Sequence, residues 1–257
     1  GTGGFAKIAP AAGMRAGYWG WGTAFADFDH DGDLDLYQVN GTSTEYTPLI
    51  VPFSDKPAQL FENLGSNTFQ EIAAASGDVG YRGRGRCVVV FDYDNDGDQD
   101  MFVTNNSVLD LSGPTPVYHP GPPMLFRNDT VNANHWLSIR LAGTAAPHHR
   151  HGIGSRVYTT VGAVTQMREL NASSGYLGHG PERIARFGLG AATEADVVRA
   201  VWTNGDETEI RNVTPDRELT LSSPQASISQ RTVDPGESFT AEIAAASLPP
   251  GATAEWS

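Results

Sequence analysis

Two nine-residue stretches carry the strongest chemical signal: Asp27-Phe-Asp29-His-Asp31-Gly32-Asp33-Leu-Asp35 and Asp92-Tyr-Asp94-Asn-Asp96-Gly97-Asp98-Gln-Asp100. Carboxylates stand at loop positions 1, 3, 5 and 9, Gly stands at 6 for a sharp turn, and a backbone carbonyl is expected from 7. Together they offer the roughly six to eight hard oxygen ligands that calcium takes. Five aspartates in nine residues repel one another unless a dication fills the loop. Asp27, Asp29, Asp31, Asp33 and Asp35 are therefore candidate ligands of one Ca2+ ion, and Asp92, Asp94, Asp96, Asp98 and Asp100 of a second. An EF-hand would place a bidentate Glu at position 12 between two helices; here position 12 is Gln38 and Val103. The loops read as calcium-bearing β-turns.

The elements that must position these loops are short strands in a repeat. Residues 1–13 align without gaps on 65–77, Phe5, Ile8 and Gly13 matching Phe69, Ile72 and Gly77 at an offset of 64. Leu60-Phe61-Glu-Asn63 matches Leu125-Phe126-Arg-Asn128 at an offset of 65, as Asp27 matches Asp92. Such a period signals stacked supersecondary units. The segments entering and leaving each loop, 20–25 and 34–39 for the first, 86–91 and 101–104 for the second, are β-branched and aromatic runs bounded by Gly, Asn and Asp, the pattern of strands.

The repeat region is expected to span 1–132. From 133 to 223 the pattern changes to strands around glycine turns: 136–141, 155–161 and 197–202 alternate in period two, predicting a second β domain. The Pro-rich stretch 112–123 reads as a long loop inside the second repeat. Residues 224–257 read as the opening strands of an immunoglobulin-like sandwich, which needs about seven strands. Either that segment is cut short, or strands of another chain complete it. The start at Gly1 reads as that of a processed or excerpted segment.

Each repeat resembles the FG-GAP (VCBS-type) repeat of integrin-α-like β-propellers, which implies that the D-x-D-x-D-G-x-x-D loop binds calcium between blade strands. The second domain resembles the ASPIC/UnbV domain. That resemblance rests on Trp136-Leu, Arg150 with Ile153-Gly154 and Arg156-Val157, Gln166 to Glu169, Ser174-Gly175-Tyr176-Leu177, Phe187-Gly-Leu-Gly190, Val201-Trp202 with Asn204-Gly205, and Asn212-Val213. The implied fold is all-β: propeller-type blades with calcium loops, then a β-sandwich-like UnbV domain and the opening strands of an Ig-like domain. A closed propeller has about four to eight blades, and two acidic repeats are visible. Further blades, or packing onto the second domain or another subunit, would complete it.

Composition excludes other classes. The 257 residues hold 17 Lys+Arg against 30 Asp+Glu, a formal charge of −13, whereas nucleic-acid binding needs a basic patch. No apolar run is long enough to span a membrane. The single cysteine, Cys87, rules out an internal disulfide framework and reads as a buried small hydrophobe. His148-His149-Arg150-His151 reads as a solvated loop, with a metal role as the alternative. Ser173 and Ser174 with His179 lack the G-x-S-x-G elbow of a hydrolase nucleophile. Arg82, Arg84 and Arg86 alternate and are expected on one face, pairing with acids or holding an anionic sugar. Trp19 and Trp21 read as blade core or, with Tyr81, as a sugar platform. Asn40, Asn105, Asn128, Asn171 and Asn212 begin Asn-x-Ser/Thr glycosylation sequons.

The reading that follows is a non-enzymatic, extracellular or cell-surface, calcium-stabilised structural or adhesion module. Its expected partners are other protein chains, through self-association into a fibre or homo-oligomer by strand complementation. A glycan-binding or polysaccharide-cleaving surface protein is the alternative.

Overall fold

The fold is that of a computed structural model, which describes residues 4–14, 17–41, 56–110, 112–115, 117–144, 148–173 and 182–224. The expected sandwich strands in 225–257, and Ser174, Gly175, Tyr176, Leu177 and His179, lie outside the described residues. The structure is almost wholly antiparallel β, as the sequence predicts. It divides into two compact units. The first draws on Gly1–Leu137, Asn171–Glu182 and Phe187–Ala192, the second on Ser138–Leu170, Arg183–Arg186 and Thr193–Ser257.

In the first unit β1 (Gly20–Ala26), β2 (Asp35–Asn40), β3 (Gln59–Asn63) and β4 (Phe69–Glu71) form one sheet in chain order. This up-and-down meander is the form of a propeller-type blade. The second repeat builds β5 (Gly85–Phe91), β6 (Asp100–Asn105), β7 (Ser107–Asp110), β8 (Val117–Pro120) and β9 (Met124–Phe126), with sheet order β5-β6-β9. The offset of 65 extends to strand register: Leu36 faces Phe61 as Met101 faces Phe126, and Tyr37 faces Leu60 as Phe102 faces Leu125.

Apolar residues of both repeats, among them Phe28, Tyr37, Val39, Leu60, Val88, Met101 and Val103, form one buried cluster. Burying these branched and aromatic side chains is the main favourable term for a sheet of this kind. Tyr37 sits in the middle of it, its hydroxyl donating to Val79 O at 2.8 Å. Cys87 is buried as expected, and burial raises its thiol pKa.

Two sequence expectations change here. The Pro-rich stretch is not all loop, because β7 and β8 pair as a hairpin with Ser107 opposite Pro120. Proline is tolerated there since it ends the strand, where a missing N–H costs little. The three arginines, expected on one face, differ in exposure: Arg82 is exposed, Arg84 is buried, and Arg86 is half-buried.

The second unit holds most of β10 (His135–Ala142), the start of β13 (Ile184–Gly190), and β11 (Arg156–Val161), β12 (Val164–Glu169), β14 (Ala195–Val201), β15 (Glu207–Val213) and β16 (Arg217–Ser222). These make sheets of order β13-β10-β16 and β12-β11-β14-β15. Alternation is clean on β11, where Val157 and Thr159 are buried, but fails on β10, where Leu137, Ser138 and Ile139 are all buried. Ser138 is satisfied in that interior by Arg186 Nη1, which donates to its Oγ at 2.9 Å.

Candidate metal centre

The acidic loops join β1 to β2 and β5 to β6. Their shape is set locally. His30 and Asn95 take left-handed backbone (φ 62° and 63°), and Gly32 and Gly97 follow at φ 100° and 103°, a conformation open to glycine. Gly32 N–H donates to Asp27 Oδ2 and Gly97 N–H to Asp92 Oδ2, each at 3.1 Å. Asp33 N–H donates to Asp31 Oδ1 at 2.8 Å, and Asp98 N–H to Asp96 Oδ1 at 2.9 Å. Sequence-local carboxylates thus wind each loop around its own side chains.

The ninth-position carboxylates close the loops onto the sheet. Asp35 accepts from Phe28 N at 3.1 Å and from Asn63 N at 2.8 Å; Asp100 accepts from Tyr93 N at 2.6 Å and from Asn128 N at 2.7 Å. Carboxylate oxygens of Asp27, Asp29 and Asp31 gather within 4.8 Å of one another, as do those of Asp92, Asp94 and Asp100. The trios differ, positions 1, 3 and 5 in the first loop and 1, 3 and 9 in the second, while Asp33, Asp35, Asp96 and Asp98 fall outside them.

Electrostatics marks these loops as cation-seeking. Burial pushes Asp35 up to about 7. Burial, then the neighbouring charges of Asp96, Asp100, Asp92 and Asp94, pushes Asp98 up to about 6. Asp31 and Asp100 are raised as well, burial again the main cause. A donor set made of carboxylate oxygens fits a hard dication, whose charge removes the repulsion.

Contacts that the sequence did not announce surround the first loop. Gly188 N–H donates to Asp27 Oδ2 at 3.0 Å and Gly190 N–H to His30 O at 2.8 Å. A Cβ on Gly188 would stand 2.2 Å from Asp27 Oδ2 and 2.5 Å from the His30 backbone. Gln99, Asn128, Asn132 and Asn134 donate to carbonyls of residues 27–29. Of these, Asn128 stands out in sequence as a repeat match and a sequon and Gly188 as a motif letter, neither with a metal role, and Asn132 and Asn134 carry no signal.

The other candidates take structural places. In the expected solvated loop His149 and Arg150 are exposed, but the His148 side chain is buried: its Nε2 lies 3.2 Å from Asp206, and its ring meets Trp202 edge-on at 5.2 Å. The cause is tertiary, since 202–206 form the turn between β14 and β15. His149 Nδ1 accepts from His151 N at 3.1 Å. Trp21 packs on the first unit's core, donates to Gly41 O and carries the Arg86 guanidinium over its ring at 4.5 Å, whereas Trp19 is exposed. Tyr81 donates its hydroxyl to Asn105 Oδ1 at 2.7 Å.

Among the sequons, Asn40 is buried with its amide donating to Pro57 O at 2.8 Å, which shuts that nitrogen away from modification in the folded chain. Asn105 and Asn128 are half-buried, with amides on Pro122 O and Phe28 O. Asn171 and Asn212 are exposed.

Residues 48–103, which include the second acidic loop, match the FG-GAP-like repeat family, and residues 143–228 match the ASPIC and UnbV family. The chain is 27% identical over 188 residues to cartilage acidic protein 1 of Mus musculus, and equally so to that of Homo sapiens. The aligned region covers 70% of this chain and about a quarter of each relative's length. The chain is thus similar to an FG-GAP-like repeat over 48–103 and to an ASPIC and UnbV domain over 143–228, the pairing that its motifs resemble.

Proposed function

We propose that this chain is a non-enzymatic, extracellular adhesion-type module whose blades are stapled by calcium. One ion would be held by the Asp27–Asp35 loop and a second by the Asp92–Asp100 loop. The observation that carries the reading is the duplication of the loop: the same backbone conformation and the same carboxylate-to-amide bonds recur 65 residues apart, each with a converging carboxylate trio. In such a site the ion supplies charge neutralisation and cross-linking. The chain's own residues set the loop's shape and exclude water from its inner end, where Asp27 and Asp100 are buried. The two family matches support an extracellular module, and no helix among the described residues is long and apolar enough to cross a membrane.

The glycan reading finds less support. Trp21 is committed to the core and to Arg86, and Tyr81 to Asn105 and Phe126, which leaves Trp19 as the one exposed member of the expected platform. The test is a calcium titration of the chelator-treated full chain by calorimetry with parallel thermal melts. Two binding events and a raised melting temperature are expected, since a ligand that binds the native state alone stabilises it. No heat and no shift at millimolar calcium would overturn the reading.

A further inference from the structure

Because the two acidic loops are one element built twice, the places where their bonding differs are informative. Asn63 and Asn128 are equivalent, and each backbone N–H donates to the ninth-position carboxylate of its own loop. Their side chains diverge. Asn63 Nδ2 donates to Leu34 O within its own loop at 3.1 Å, whereas Asn128 Nδ2 reaches Phe28 O of the other loop at 2.8 Å. Leu34 and Gln99 are equivalent as well. Leucine offers no polar atom, while Gln99 Nε2 donates to Asp27 O at 2.9 Å. Asn132 and Asn134 both donate to Asp29 O, at 2.6 and 2.9 Å. Three consecutive carbonyls of the first loop are thus held by amides from the second loop and the segment after it. A line of hydrogen bonds runs from Asp100 through Asn128 and Phe28 to Asp35, joining the two ninth-position carboxylates.

We infer that the two ion sites are thermodynamically coupled, with Gln99 and Asn128 as the positioning residues through which order in the second loop fixes the first. The inference rests on the calcium reading above. When the second loop is ion-filled, its carboxylates stop repelling and Asp100 keeps its hold on Asn128, so Phe28 O and Asp27 O keep their donors. The first loop then loses less conformational freedom on binding its own ion. Linkage makes the effect reciprocal, so filling the first site strengthens the second by the same factor.

The full chain, stripped with chelator and titrated with calcium chloride by calorimetry, tests this. Asp94→Asn removes a carboxylate from the second trio, and Asp29→Asn identifies the heat that belongs to the first. Asp94→Asn is expected to weaken calcium binding at the first site by about fivefold or more, the low end of measured couplings. In a Gln99→Leu, Asn128→Ala background, which leaves the Asn132 and Asn134 bonds and the 3.6 Å approach of His30 Nδ1 to Asp98 Oδ1 in place, the same change should weaken the first site markedly less. Gln99→Leu alone, which installs the residue the first repeat has at that place, should lose part of the coupling with the circular dichroism unchanged. Two bound ions with a first site indifferent to Asp94→Asn would overturn the coupling, as would coupling that both substitutions leave undiminished. Absence of any calcium heat in the parent chain would withdraw the calcium reading along with it, whereas independent sites would withdraw the coupling alone.

Discussion

Gly188 shows how a single position answers to a distant partner. It sits in the Phe187-Gly-Leu-Gly190 motif, its N–H donates to Asp27 Oδ2, and a methyl group there would fall inside the van der Waals radius of that carboxylate and of the His30 backbone. Gly188→Ala is therefore expected to destabilise the chain by about 1–3 kcal/mol, the usual cost of overpacking. It should also weaken the first calcium site more than the second. Urea unfolding with and without calcium, read beside the titration, measures both; a parental midpoint and an unaltered first site would contradict the assignment. The aspartates were legible from sequence because their spacing within nine residues and the turn bonds of Asp27, Asp31, Asp92 and Asp96, two to five residues long, are local. Gly188, Asn132 and Asn134 were not, because their partners lie about a hundred positions or more along the chain. His148 failed for the same reason: nothing near it in sequence announces Trp202 and Asp206.

At the scale of the loop, the raised carboxylates set a pH dependence whose sign is unusual for aspartate. Asp35 near 7 and Asp98 near 6 lie above the ordinary carboxylate range, so through that interval the folded chain binds more protons than the unfolded one. Stability then falls as pH rises. For the chelated chain, melting temperature should climb as pH drops from about 7 to about 5, relieving charge that burial and neighbours penalise. Calcium should reverse the trend, because protons then compete with the ion for the same oxygens. Melts at stepped pH in chelator and in calcium check this; a chelated chain that loses stability steadily over the same interval would refute it. Strand register also belongs to this scale. The repeat predicted where β1, β2, β5 and β6 fall, whereas the register shift between Gly85 and Cys87 leaves no mark in composition.

Across the whole chain, the formal charge of −13 with ten aspartates in two loops makes self-repulsion a molecular property as well as a local one. Two calcium ions would bring the charge to about −9. Screening acts on what repulsion is left. Raising sodium chloride from about 0.01 M to about 0.15 M, over which the Debye length falls from about 30 to about 8 Å, should stabilise the chelated chain more than the calcium-loaded one. Thermal melts at the two salt levels measure the difference, and equal shifts would show that loop repulsion is not a significant cost.

What the sequence determined by itself was everything carried by short-range spacing: the all-β class, the two-repeat organisation, the acidic loops with their turn glycines, and the family resemblance. These are local because a loop of nine residues wraps its own carboxylates and a strand declares itself in a few residues. Only the tertiary structure decided which carbonyls of the first loop are held from outside, that Gly188 must be bare, that Asn40 is shut away and that the His148 side chain is buried. Each depends on packing between segments far apart in the chain. Such contacts follow from how apolar faces bury against one another, and no spacing within a single segment encodes them.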